Sequence, residues 1–444
     1  MKAFVAVVLS FLIVSPAVAE IEITEVTSPG GITAWLVPEP SIPFVSLEIR
    51  FKGGASLDLP DRRGATNLMV GLLEEGAGEM DAQQFAQASE ELAARFKYSV
   101  YDDAVSVSAQ FLSENQDSAL ALLRETLVAP RFDADAIERV RAQVLSGLRS
   151  DATDPDSIVG AAFDQVMFPN HPYGSRYEGT LESVSALTRD DIVAAWQGAL
   201  ARDRIYVSAA GDITPEAMAG LLDRLLGDLP ATGRPQPPDI PVQASAGVTV
   251  IPFDTPQSVA LFGHEGIGMD DPDFFPAYLM NVVLGGGGFE ARLMTEVREK
   301  RGLTYGVYTY LATKDHAALV AGRVASANNR VAEAIQVITD EWAKMASDGV
   351  TQDELDQAKT YLTGSYPLRF DGNGPIAAIL AGMQMDDFPI DYARTRNARI
   401  EAVTLEDVKR VAARLLKPEA LRFVVVGQPE GLPDAAQVLP VPGQ

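Results

Sequence analysis

Two stretches of the chain alternate apolar and polar residues at the period of a half-buried strand. One begins at Tyr98-Ser-Val-Tyr101 and runs on to Phe111; the other begins at Tyr305-Gly-Val-Tyr308 and runs on to Val324. Each predicts antiparallel strands with one face on a core. Helical spacing follows in both cases. Asp133-Ala-Asp-Ala-Ile137 opens a helix expected to reach Arg149, and Thr351-Gln-Asp-Glu-Leu355 opens one expected to reach Thr363. Further on, Leu187-Thr-Arg-Asp-Asp-Ile192 and Val403-Thr-Leu-Glu-Asp-Val408 each set a Thr N-cap before an acidic first turn. The strands Ile205–Gly211 and Arg422–Gly427 come next. Thr404 follows Thr188 by 216 residues, and Gly427 follows Gly211 by the same 216. One plan is therefore used twice. Each half reads as strand, helix, antiparallel strands, helices, strand: an α+β fold of two homologous αβ domains, each a mainly antiparallel sheet with helices packed on one face.

The hydrophobic pattern also marks the ends of these units. Met1-Lys2, the apolar run Ala3 to Val14 and the small-residue stretch ending at Ala19 have the three parts of a secretory signal peptide, which assigns residues 1–19 to a cleaved leader and the protein to the periplasm. The apolar run is shorter than the roughly 20 residues a spanning helix needs. No membrane span is expected after the leader is removed. A proline-rich stretch, 230–246, removes backbone donors and reads as an extended linker. It separates an N-terminal domain, 20–229, from a C-terminal domain, 247–430, and leaves a tail, 431–444, expected to be poorly ordered.

Composition narrows the chemistry. A formal charge of −25 excludes nucleic acid and anionic membrane surfaces as partners. With no cysteine, the fold of an exported chain rests on core packing alone. The three histidines, His171, His264 and His316, include no i, i+4 pair that sets two imidazoles on one helical face. His171, before Pro172, reads as a turn residue, and the other two carry no assigned role.

The densest cluster of chemical signals runs from Gly285 to Tyr305. Arg298 and Tyr305 stand seven residues apart across the Gly302 break. An arginine offers a planar fork to a peptide carbonyl, and a tyrosine offers a phenolic donor to a developing oxyanion. Taken by residue type alone, Arg298 fits a surface ion pair on a charged helix face and Tyr305 fits core packing in a strand. Gly285, Gly286, Gly287 and Gly288 lack the Gly-Lys-Ser/Thr ending of a phosphate loop. They read as a hinge that lets the backbone approach closely and starts the helix carrying Arg298.

A duplicated αβ plan with an Arg/Tyr pair in its second half resembles the pitrilysin/insulinase family of inverted-zincin metallopeptidases. Asn170-His171-Pro172-Tyr173-Gly174 is similar to a turn found in that family, and the resemblance spans about Ile21 to Gly427. The family carries its zinc in an H-x-x-E-H motif in the first half, aligned here with Gly64-Ala-Thr-Asn67-Leu-Met-Val70-Gly71. The two histidine positions fall on Asn67 and Gly71, the general-base glutamate on Val70, and the third ligand on Gly147. Every metal ligand is thus missing, and no cofactor is expected on this chain. The resemblance implies the zinc-free subunit of a heterodimer, with Arg298 and Tyr305 completing a zinc site held by the partner, peptides as substrates, and each subunit forming half of a clamshell chamber. The alternative it leaves is a non-catalytic peptide-binding or scaffold subunit of the same fold.

Overall fold

The computed structural model describes residues 22–433 and 436–440. The expected leader thus lies outside the described residues. In the first half the strands are β1 (Thr24–Thr27), β2 (Thr33–Pro38), β3 (Phe44–Lys52), the two-residue pair β4 (Gly76–Ala77) and β5 (Met80–Asp81), β6 (Arg95–Val100), β7 (Ala104–Leu112) and β8 (Ile205–Gly211). In the second they are β9 (Gly247–Pro252), β10 (Gln257–Glu265), β11 (Val307–Lys314), β12 (Ala317–Ala327), β13 (Arg422–Gly427) and β14 (Gln437–Val438).

The two large sheets run β1-β2-β8-β3-β7-β6 and β14-β9-β13-β10-β12-β11, the same order written from the same side. The parallel pair β2/β8 has its counterpart in β9/β13. The antiparallel pairs β3/β8, β3/β7 and β6/β7 have theirs in β10/β13, β10/β12 and β11/β12. The helices start as the sequence implies. Thr188, Thr351 and Thr404 each cap a helix, with Asp191, Glu354 and Asp407 closing the reciprocal bond of a capping box. The helices opened by Asp133 and Thr351 span Ala134–Asp151 and Gln352–Ser365.

The outermost strand breaks the symmetry. Gln437–Val438, in the tail expected to lack order, adds to β9 in parallel, and Leu439 N donates to Val250 O at 2.9 Å. The open edge of β9 has unpaired backbone groups, and two tail residues satisfy part of them.

The second face of each sheet is covered by the opposite half. On β3, Val45, Leu47, Ile49 and Phe51 enter the core of their own half. Ser46, Glu48 and Arg50 point to the other face. Helix Asn373–Met385, from the second half, lies there: Ser208 Oγ donates to Ala377 O at 2.6 Å and Arg50 Nη2 to Ala378 O at 3.1 Å. The exchange is reciprocal. Helix Pro155–Met167 of the first half packs Ile158, Val159, Ala162 and Phe163 on Ile251, Val259, Val424 and Val426 of the second sheet. Four successive buried residues, Phe423 to Val426, reflect a strand covered on both faces.

The linker and two turns complete the joint between the halves. Ile240 N donates to His316 O at 2.8 Å and Gln243 N to Met167 O at 3.0 Å. The β6/β7 turn meets its counterpart, the β11/β12 turn: Lys314 pairs with Asp102, and Asp315 N donates to Asp103 Oδ2 at 3.2 Å. Tyr173 hydroxyl donates to Asp103 and accepts from His316 N at 3.1 Å.

Candidate functional site

Helix Phe274–Asn281 widens into a π-helical turn, Val282–Gly286, where it reaches the glycine run. Such turns concentrate at functional sites. Gly285 lies against the edge strand β11. A Cβ there would stand 2.5 Å from Thr309 Oγ1 and 2.8 Å from Thr309 N, so only glycine permits the approach. Gly288, at φ +65°, then turns the chain. The run therefore ends a helix, in contrast to the expectation that it starts the one carrying Arg298. That helix begins at Arg292, after an exposed turn through Phe289 and Glu290, and widens into a second π-helical turn, Met294–Glu299.

Arg298 sits on this second turn with its guanidinium 4.8 Å from the centre of the Phe289 ring. The surrounding charges are taken: Glu296 binds both Lys300 at 2.6 Å and Arg301 at 2.7 Å. Among the described residues no carboxylate pairs with Arg298, so the ion pair expected of a surface helix is not made. Gly302, at φ +60°, stops the helix. Thr304 Oγ1 then pins a bend, accepting from Gly306 N at 3.0 Å and donating to Ala325 O at 2.6 Å. Tyr305 lies on that bend, ahead of β11, and not inside the strand as its alternation suggests. It is 87% exposed, the reverse of core packing. The Gly302 break and the pinned bend thus present Arg298 and the Tyr305 phenol on either side of one turn.

The positions aligned with the zinc motif lie on helix Ala65–Val70. Asp58 holds its first turn, accepting from Gly64 N at 2.9 Å, Thr66 N at 3.0 Å and Thr66 Oγ1 at 2.6 Å. Burial pushes the Asp58 carboxyl up despite these donors. Asn67 and Gly71 share an accessible face one turn apart, and Val70 points into the core. Helix Ala134–Asp151 crosses them. Val140 Cγ1 stands 3.0 Å from where a Gly71 Cβ would be, and Gly147, seven residues farther along, has open space around it. Of the four positions, only the Asn67 amide has an atom able to ligate. On the segment that follows, Glu75 is bound by Arg139, while burial and Glu75 push the Glu74 carboxyl up. Among the described residues no group of three or more His, Asp or Glu side chains is placed to hold a metal. These residues do not fit zinc.

The histidines serve structure. His171 accepts from Tyr173 N at 3.2 Å and its other nitrogen reaches Pro238 O of the linker at 3.2 Å. His264 is buried, accepting from Trp342 Nε1 at 2.9 Å while its Nδ1 meets Glu265 O at 2.7 Å, and burial pushes its pKa down. His316 pairs with Asp239, also of the linker, at 3.0 Å.

One further group was not evident in the sequence: the Arg292–Glu354 pair that ties the Arg298 segment to helix Gln352–Ser365. Arg292 grips both carboxylate oxygens, at 2.6 and 2.7 Å, and Glu354 also accepts from Thr351 N at 2.7 Å. Burial raises the Glu354 carboxyl, but Arg292 and the Thr351 bonds more than reverse this and bring it to about 2. A depressed carboxyl contributes stability above its ordinary value, 4.5, and loses that contribution as pH falls toward about 2. Glu354→Gln is therefore expected to cost about 2–3 kcal/mol at neutral pH. Urea denaturation from pH 7 downward should show the variant lacking that part of the acid loss; equal acid limbs would reject the pair as a stabilising unit.

Comparison with known proteins agrees with this geometry. Residues 35–181 match the family described as insulinase (peptidase family M16), and residues 186–362 match its peptidase M16 inactive domain. A non-peptidase homolog, YmxG, of Helicobacter pylori is 26% identical over 386 residues, covering 87% of this chain and 89% of that one. An uncharacterized zinc protease of Mycobacterium leprae is also 26% identical, over 88% of each chain. Among solved structures, an M16 inactive domain from Pseudomonas fluorescens superposes with a TM-score of 0.86 at 27% identity, covering 95% of this chain and all of that one.

Proposed function

Because the chain belongs to the insulinase (M16) peptidase family and no group of three or more His, Asp or Glu side chains among its described residues is placed to hold a metal, we propose that it is the zinc-free subunit of an exported heterodimeric metalloendopeptidase that degrades peptides. The observation that carries this reading is the contrast between its two halves. The first has an amide, a hydrocarbon and two glycines at the aligned positions, while the second presents an Arg298 that pairs with no carboxylate among the described residues and a Tyr305 that is 87% exposed. A burial or ion-pair role leaves neither group free.

In this reading Arg298 donates to a carbonyl of an extended peptide and holds it beside the scissile bond. Tyr305 donates its phenolic proton in a hydrogen bond to the oxyanion that forms at the attacked carbon. A partner subunit with His-x-x-Glu-His would supply zinc and the general base for the attacking water. Peptide binding along a sheet edge satisfies the substrate's backbone with little demand on its sequence. The 1–19 leader supports a periplasmic location for the complex.

The name of the Helicobacter relative, a non-peptidase homolog, favours a second reading, in which the fold binds peptide or supports assembly without taking part in cutting. Light scattering on a chromatographed mixture with a zinc-motif M16 subunit from the same organism tests the shared premise. A one-to-one complex is expected. Two separately eluting species at micromolar concentrations would overturn the heterodimer.

A further inference from the structure

The duplicated plan gives the second half its own version of the gap between the motif helix and the long helix. Val283 and Gly287 stand 216 residues after Asn67 and Gly71, and helix Gln352–Ser365 is the counterpart of Ala134–Asp151. In the first half Val140 reaches toward Gly71, its Cγ1 3.0 Å from where a Cβ there would stand. In the second half the gap is open: a cleft of about 440 Å³ lies between the π-helical turn Val282–Gly286 and helix Gln352–Ser365. Val282, Val283 and Ala358 make its apolar wall, and Tyr361 lines it with a ring that is 54% exposed.

Its charge is of one sign. Glu290, Glu354 and Asp356 line the cleft, and no lysine or arginine does. Arg292 neutralises Glu354. Glu290 and Asp356 are exposed and pair with no cation among the described residues; the Asp356 carboxylate accepts from the Gln352 amide at 2.8 Å. The cleft is therefore apolar in its wall and twice negative at its mouth, beside an aromatic face able to take a cation. It adjoins the segment that carries Arg298, since Gly287 and Glu290 lie on either side of Phe289, whose ring lies under Arg298.

We infer that this cleft is a specificity pocket for a lysine or arginine side chain of the peptide substrate, the apolar stem lying on Val282, Val283 and Ala358 and the cationic end meeting Glu290 and Asp356. The inference rests on the peptide-binding part of the function proposed above. It gives the chain a role in choosing peptides that is separate from the chemistry of cutting them.

The test is equilibrium binding of three fluorescein-labelled decapeptides to the purified full chain, read by anisotropy. The peptides share an Ala/Leu sequence and differ only in one central residue, Lys, Leu or Glu. The Lys peptide is expected to bind about tenfold more tightly than the Leu peptide, with Glu weakest, and the order is expected to collapse in 0.5 M salt, where the Debye length falls to roughly 4–5 Å. Glu290→Lys/Asp356→Lys changes two exposed positions, so folding is expected to survive; it should abolish the Lys preference. Equal affinity for all three peptides, or a Lys preference that survives the double reversal, would overturn the pocket even if a mixed complex cleaves peptides. Lys-selective binding that the reversal abolishes establishes the pocket even if no complex cleaves anything.

Discussion

Tyr305→Phe in the assembled complex is expected to lower kcat about 100- to 1000-fold, the usual loss when one oxyanion donor is removed, with complex formation and thermal stability unchanged. The expectation comes from how the residue is held. Tyr305 is 87% exposed and its hydroxyl donates to no protein atom among the described residues, so deleting one oxygen removes nothing from the fold. The bend that presents it is fixed by Thr304 and Gly306, not by the phenol. A fall in kcat with little change in KM marks an interaction made only in the transition state. If a correctly assembled Tyr305→Phe complex turns over at the original rate, the residue has no part in the chemistry and the binding or scaffold reading takes its place.

The largest effect on stability is expected at the joint between the halves. Tyr173 is 1% exposed, packs edge-on against Phe168 at 5.7 Å and His171 at 4.5 Å, and lies under Lys314 at 4.5 Å. Its hydroxyl bridges Asp103 of the first half and His316 N of the second, and burial with the neighbouring Asp103 raises the phenol far above its ordinary value. Tyr173→Ala is expected to cost about 3–5 kcal/mol, from lost burial and the cavity left behind. Tyr173→Phe keeps the ring and strands two polar partners, at about 1–3 kcal/mol. Urea denaturation followed by fluorescence reads both. If the Ala variant lost less than about 1 kcal/mol, the two halves would be held by the exchanged helices without this clasp.

Much of this was legible in the sequence, and the parts that were not share a cause. The Thr caps at 188, 351 and 404 are local chemistry, and the structure has all three with their acidic closing partners. The 216-residue spacing carried the duplication, and five strands of each large sheet repeat in the same order. That the run Phe423 to Val426 is covered on its second face by Pro155–Met167 was not legible, because that contact joins residues more than 200 apart. The same limit applies to Gly285, whose need for glycine is set by Thr309 across the gap to β11, and to Arg292, whose partner Glu354 lies on another helix. Tyr305 alternates with its neighbours as a strand residue does, and only the bend held by Thr304 takes it out of the sheet. The two wide helical turns left no signal, since a few residues of π geometry do not disturb an apolar pattern read at 3.6 residues per turn.

The most direct measurement is hydrolysis of a quenched fluorescent peptide by this chain alone, by a zinc-motif partner alone and by the two mixed, with the metal content of each determined. The account predicts cleavage only in the mixture and zinc only in the partner. Zinc-dependent cleavage by this chain alone would contradict it, and with it the conclusion that Asn67, Val70, Gly71 and Gly147 form an emptied site.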